Sequence, residues 1–131
     1  MFFFSFFFQK YFPIFSELPE DDDINRADWH YCLLVEIIEI IPYFRPMFKV
    51  KDKVNKEFIV TFYFDNGTEH PEEWKKNCKP GGVMVIKYAL RHSFMDGQIG
   101  IRAEDVEHIK VSPLFFPFQI FLLAQFVLFI R

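Results

Sequence analysis

The chain has 131 residues and a formal net charge of −3, a length that fits one domain whose core needs no disulfide support. Residues 29–113 carry 12 basic and 12 acidic side chains, which excludes the broad basic footprint that binding to a phosphate backbone requires and leaves only a local patch to supply one. Two cysteines, Cys32 and Cys78, are too few for a disulfide framework and read as reduced, buried thiols.

Of the 20 phenylalanines, 8 fall in residues 1–15 and 6 in residues 114–131, so both ends differ in kind from the middle. The sequence therefore divides into a Phe-rich N-terminus with an acidic linker (1–28), a β domain (29–113) and a hydrophobic C-terminal tail (114–131). The opening run MFFFSFFF has no basic residue before it and is followed at once by Gln9 and Lys10. It makes a poor signal peptide and falls far short of the roughly 20 residues that span a bilayer. Residues 16–28 contain Pro19 and the run Glu20, Asp21, Asp22, Asp23. Such a stretch repels itself and buries little apolar surface, which predicts a solvated linker. It lacks the spaced ligands and turn glycine of an EF-hand loop.

Residues 31–41, YCLLVEIIEII, carry apolar side chains at both helical and strand spacing, and the β-branched content favours a strand. Glu36 and Glu39 have opposite parity, so a strand that keeps both on its outer face needs a bulge between them. Residues 43–52 alternate, with Phe44, Phe48 and Val50 inward and Arg45, Lys49 and Lys51 outward. Pro46 makes this an edge or bulged strand. After a turn at 52–56, residues 57–64 place Phe58, Val60, Phe62 and Phe64 on one face. Asp65-Asn66-Gly67 is a turn; the glycosylation triplet that starts at Asn66 is explained by that turn. PEEWKKN (71–77) has proline at a helix start, acids early and lysines late, which predicts one or two helical turns. Residues 79–113 follow as a Pro-Gly-Gly turn, a strand over 83–90, a turn at Asp96-Gly97, and short extended runs over 98–102 and 107–111 separated by an acidic turn at 103–105. The pattern predicts an all-β fold with one short helix: a small five-stranded, OB-like barrel with the helix between its third and fourth strands. Its expected core is Leu33, Val35, Ile37, Phe58, Val60, Phe62, Val85, Ile86, Ile99, Ile101, Ile109 and Val111.

No catalytic chemistry is legible. His30, Cys32, His70, Cys78, His92 and His108 fall in no closed zinc spacing, although His30 and Cys32 share one side of a strand. His92-Ser93 is adjacency, with no nucleophile elbow or catalytic cysteine context around it. Gly81-Gly82 is a turn and not a phosphate loop. We expect no enzyme, no cofactor and no metal. One candidate binding face remains: Tyr43, Arg45, Lys49, Lys51, Lys53, Lys56 and Tyr63, with the tyrosines as stacking platforms and the cations clustered on one strand and its turn. The plainer reading of those cations is the charged guard of an edge strand, diluted by Asp52 and Glu57.

At VTFYFDNG, and again over CKPGGVMVIKYALRHSFMDGQIGIRAEDVEHIKVSP, the sequence resembles the N-terminal domain of fungal proteins that carry a MYND-type zinc finger further on. The matching runs are Val60 to Asp65, Lys79 to Gly82, Val85 to Leu90, His92 to Gly97 and Ile99 to Glu104, with a looser fit over 28–53. The paired cysteine and histidine ligands of the finger are absent, so no zinc role carries over. The resemblance implies a non-catalytic module whose partner is another protein, in the cytoplasm or nucleus. Single-stranded nucleic acid is the alternative partner. For the tail, 17 uncharged residues over 114–130 come near the roughly 17–25 that span a bilayer, though Pro117, Gln119 and Gln125 weaken it. Three readings are open for the ends: a tail that attaches the protein to a membrane, a structural cap on the barrel, or translated sequence never under selection as protein; the favoured one is a truncated or mis-spliced gene whose Phe codons come from thymine-rich noncoding sequence, with the membrane anchor second.

Overall fold

The computed structural model describes residues 13–21, 32–65 and 69–112. These form one mixed sheet of seven strands: β1 (Cys32–Ile41), β2 (Met47–Lys51), β3 (Glu57–Phe62), β4 (Val83–Lys87), β5 (Arg91–Ser93), β6 (Ile99–Ala103) and β7 (Ile109–Ser112). Among the described residues one α-helix, α1 (Glu72–Asn77), lies between β3 and β4. The strands are ordered β5-β6-β3-β2-β1-β4-β7. Every pairing is antiparallel except the parallel β3–β6.

β1 organises the sheet because it serves two neighbours along its length. Its first half pairs with β4, from Cys32 opposite Lys87 to Glu36 opposite Val83. Its second half pairs with β2, from Glu36 opposite Lys51 to Ile41 opposite Met47, and the register shifts between Ile37 and Glu39. The expected bulge is there, and it sets Glu36 across from Lys51 and Glu39 across from Lys49. An extra residue bends a strand and strengthens its twist.

Hydrogen bonding leaves the sheet open, with β5 and β7 as its ends, yet the sheet cannot be flat. Five strand spacings would hold β6 about 24 Å from β7. The chain between Ala103 and Ile109 reaches only about 20–22 Å fully extended, and it includes a 3-10 turn, Val106–His108, that shortens it further. The sheet therefore curls. Leu33, Val35 and Ile37 of β1, Val60 and Phe62 of β3, Met84 and Ile86 of β4, Ile101 of β6 and Val111 of β7 all meet in one buried cluster, together with Trp74 of α1.

Several sequence expectations need correction. The described residues hold seven strands and not five, and no closed five-stranded ladder. The uniformly apolar run 83–90 hides a break: β4 ends at Lys87, Tyr88 takes a left-handed φ of 57°, and Arg91 begins β5. β2 is no edge strand, since β1 and β3 flank it. Pro46 lies just before it, where its missing N–H costs no ladder bond, and its carbonyl accepts from Phe62 N at 3.0 Å. Ile99 is 51% exposed because it opens β6 opposite Ser93, beside the hairpin turn and away from the core. Val85 is buried, but outside the main cluster.

Residues 16–21 pack where composition predicts a solvated linker, and Phe15 of the Phe-rich N-terminus packs with them. Phe15 stacks on Phe58 with ring centroids 4.0 Å apart, and Leu18 is buried in the cluster. The strap then runs along β5: Arg91 N donates to Pro19 O, Asp21 N donates to Arg91 O, and Asp21 pairs with His92. The rest of the Phe-rich N-terminus and of the acidic stretch, Asn66 of the glycosylation triplet, and the tail 114–131 lie outside the described residues.

Asp52, only 4% exposed, joins the strap to the sheet. One carboxylate oxygen accepts from Phe15 N at 2.9 Å, and the other accepts from Val54 N at 3.0 Å and Lys56 N at 2.9 Å. It thus closes the β2–β3 turn and holds Phe15 in place at once. Asp52→Ala is expected to cost about 2–4 kcal/mol, by stranding three donors, and Asp52→Asn less. Urea unfolding should show a lower midpoint with an unchanged slope; an unmoved midpoint would remove Asp52 from this role.

Candidate interaction site

The β1–β2 turn is built from Pro42-Tyr43-Phe44-Arg45-Pro46, and two prolines in five residues restrict how it can rearrange. Tyr43 is 50% exposed and Phe44 80%, and their rings touch, with centroids 4.4 Å apart. The alternation of residues 43–52 predicts Phe44 on the inward face with Phe48 and Val50. Phe44 points elsewhere because the strand begins only at Met47, after Pro46 has broken the alternation.

Arg45 leaves this turn and lays its guanidinium 4.3 Å from the centroid of Tyr63, just past the end of β3, and 5.7 Å from that of Phe44. A second guanidinium, that of Arg102 on β6, stands 4.4 Å from the same tyrosine ring. The parallel β3–β6 register, Thr61 with Arg102, delivers it there, and Tyr63 N donates to Ala103 O at 2.7 Å. That parallel pairing tolerates no side chain at Gly100, where an added Cβ would meet Ile59 O at 2.3 Å.

Of the seven residues singled out from sequence, three come together: Tyr43, Arg45 and Tyr63. Phe44 and Arg102 complete the cluster, and neither was foreseen. Arg102 arrives through a non-local parallel pairing that local pattern does not reveal. The four lysines behave differently. Lys49 pairs with Glu57 at 3.2 Å and Lys51 with Glu36 at 3.7 Å, so the outer face of β2 alternates in sign with its neighbours. Lys53 and Lys56 lie beyond the far end of β2, a strand about 17 Å long. Partial burial lowers the Lys53 pKa, against the opposing pull of Glu17 and Asp52; Lys56 contributes its backbone N–H to Asp52.

Among the described residues no three His, Cys, Asp or Glu side chains gather as a metal site would require, and His30, the suggested partner of Cys32, lies outside them. Also among the described residues, no helix is long and apolar enough to cross a membrane. Cys32 is fully buried and Cys78 partly so, both as free thiols. No protein-family model matches the chain, and no curated protein matches it.

Burial pushes both thiols up from the ordinary 9.0 to about 12, in Cys32 against a smaller opposing effect of the Lys87 charge. A thiol in that state is a poor nucleophile. Ellman's reagent at pH 8 should modify the folded chain at least about tenfold more slowly than the chain in denaturant, and equal rates would contradict the burial. The stability that these protonated thiols contribute is fully present below pH 9. It is lost as pH rises toward 12, because the unfolded chain gives up protons that the folded chain retains. Cys32→Ala should make that alkaline fall shallower.

Proposed function

We propose that the domain is a non-catalytic protein-interaction module of the cytoplasm or nucleus, and that the partner docks on the β1–β2 turn and the end of β3. One observation carries this reading: two exposed aromatic rings, Tyr43 and Phe44, stand beside an arginine on a turn bounded by prolines. Aromatic and arginine side chains with little freedom to lose are the usual anchors of protein interfaces. The resemblance to the N-terminal domain of fungal MYND-finger proteins supports the same class of function.

The proposed architecture behind the site is OB-like. In this reading β6 and β7 are the two parts of one interrupted fifth strand, the first part bonded to β3 and the second to β4. The position of α1 between β3 and β4 and the short 104–108 connection support it. The face of the second and third strands and the first loop are the customary ligand side of such barrels, which is where Tyr43, Arg45 and Tyr63 lie.

Single-stranded nucleic acid would use the same stacking rings, but it also needs a continuous positive track for its backbone. With Lys49 and Lys51 each held by a carboxylate, that track is interrupted, and a protein partner is favoured. A photo-reactive benzoylphenylalanine in place of Phe44, introduced into the chain in cells, should give protein adducts whose size survives nuclease. The same residue in place of the exposed Val54, in the β2–β3 turn, should not. Adducts that nuclease removes, or equal cross-linking from both positions, would contradict the proposal.

A further inference from the structure

Resting on that reading, the charges around Tyr63 narrow the kind of segment that the site accepts. Two guanidiniums stand against one ring, at 4.3 and 4.4 Å from its centroid. The ring attracts each cation through its quadrupole but brings no net charge to offset their mutual repulsion. The opposing charge is incomplete. Arg102 Nε donates to Glu104 at 2.9 Å, whereas among the described residues no carboxylate lies within 4.0 Å of Arg45. The cluster therefore keeps one uncompensated positive charge, at a guanidinium already ordered by stacking.

A stacked guanidinium presents a planar fork of donors that matches a carboxylate in two parallel hydrogen bonds, and little rotamer freedom remains to be lost when it does so. Beside it, Phe44 and Tyr43 offer apolar surface to whatever precedes or follows that carboxylate. The positive field does not extend further along β2, where Glu57 and Glu36 hold the lysines. The site thus suits one anionic group flanked by apolar surface, and not a chain of regularly spaced phosphates. We infer that the partner presents a short peptide segment in which an Asp or Glu carboxylate seats on Arg45 and a neighbouring apolar side chain packs on Phe44 and Tyr43.

The test is selection of a phage-displayed random dodecapeptide library on the immobilised full-length chain. Selected peptides should be enriched in Asp or Glu next to an apolar residue. A chemically synthesised peptide from that set should bind about tenfold more weakly to Arg45→Gln, a loss equivalent to about 1.4 kcal/mol, and Arg45→Lys should restore binding only in part, because an ammonium cannot make the paired contact. Selection on Arg45→Glu should shift toward Lys and Arg. Selected peptides that lack acids, or whose binding ignores Arg45→Gln, would overturn this inference and leave the protein-interaction reading standing. Enrichment no greater than on bare support, together with saturable binding of a 15-nucleotide oligothymidylate, would overturn that reading as well. An Arg45-dependent dimer of the chain in sedimentation would assign the site to a second copy and refute a separate partner.

Discussion

The bulge between Ile37 and Glu39 is the constraint on which the rest of the structure depends. β1 has to reach two strands in succession, β4 with its first half and β2 with its second, and a strand without a register shift would turn one of its glutamates inward. By accommodating one extra residue, β1 keeps Ile37 in the core and places Glu36 and Glu39 outside, opposite Lys51 and Lys49. The same irregularity bends the strand, and a bent first strand allows the sheet to curl until β6 and β7 can be joined by the short 104–108 connection. Core, curvature and surface charge are set by one local irregularity.

Surface chemistry then separates into two kinds of positive charge. Lys49 and Lys51 are half-buried and paired with carboxylates, and solvent-facing pairs of that type contribute little to stability. Arg45 is stacked on Tyr63, sits next to exposed rings, and is short of a counter-charge. Sequence alone puts all these cations in one cluster because they follow one another along the chain. Only the strand pairing reveals that β2 lies in the sheet interior, with acids across from its lysines on both sides, while Arg45 belongs to the turn before it.

Much of the fold was legible where local chemistry decides the outcome. The opposite parity of Glu36 and Glu39 demands the bulge; Phe58, Val60 and Phe62 define the inner face of β3; Pro71 marks the start of α1, and Asp96-Gly97 the tip of the β5–β6 hairpin, with Gly97 at φ 90°. What stayed hidden depends on distant partners or on uniform composition. The run from Val83 to Leu90 is apolar throughout, so periodicity has nothing to show where β4 stops. The acidity of residues 17–28 masks Leu18, which is buried in the same cluster as Phe15, whose backbone N–H donates to Asp52. Pro46 reads as a defect within a strand, when it stands just outside one, and for that reason simple alternation puts Phe44 on the wrong face. Arg102 comes to Tyr63 only through the parallel β3–β6 pairing, which joins residues some forty positions apart in sequence.

The claim that binds these points together is that carboxylates on β1 and β3 neutralise the basic face of β2, whereas Arg45, in the turn before it, has no carboxylate within 4.0 Å among the described residues. The most direct measurement is the salt dependence of oligothymidylate binding to the full-length chain between 50 and 200 mM salt, for the native protein and for the double variant Glu36→Gln, Glu57→Gln. If the β2 lysines are neutralised in this way, binding to the native chain is weak, with a log–log slope no steeper than about −1, and the slope becomes clearly steeper once the two acids are removed. A native slope of about −3 or steeper, unchanged in the double variant, would show a continuous phosphate-binding track and contradict the account.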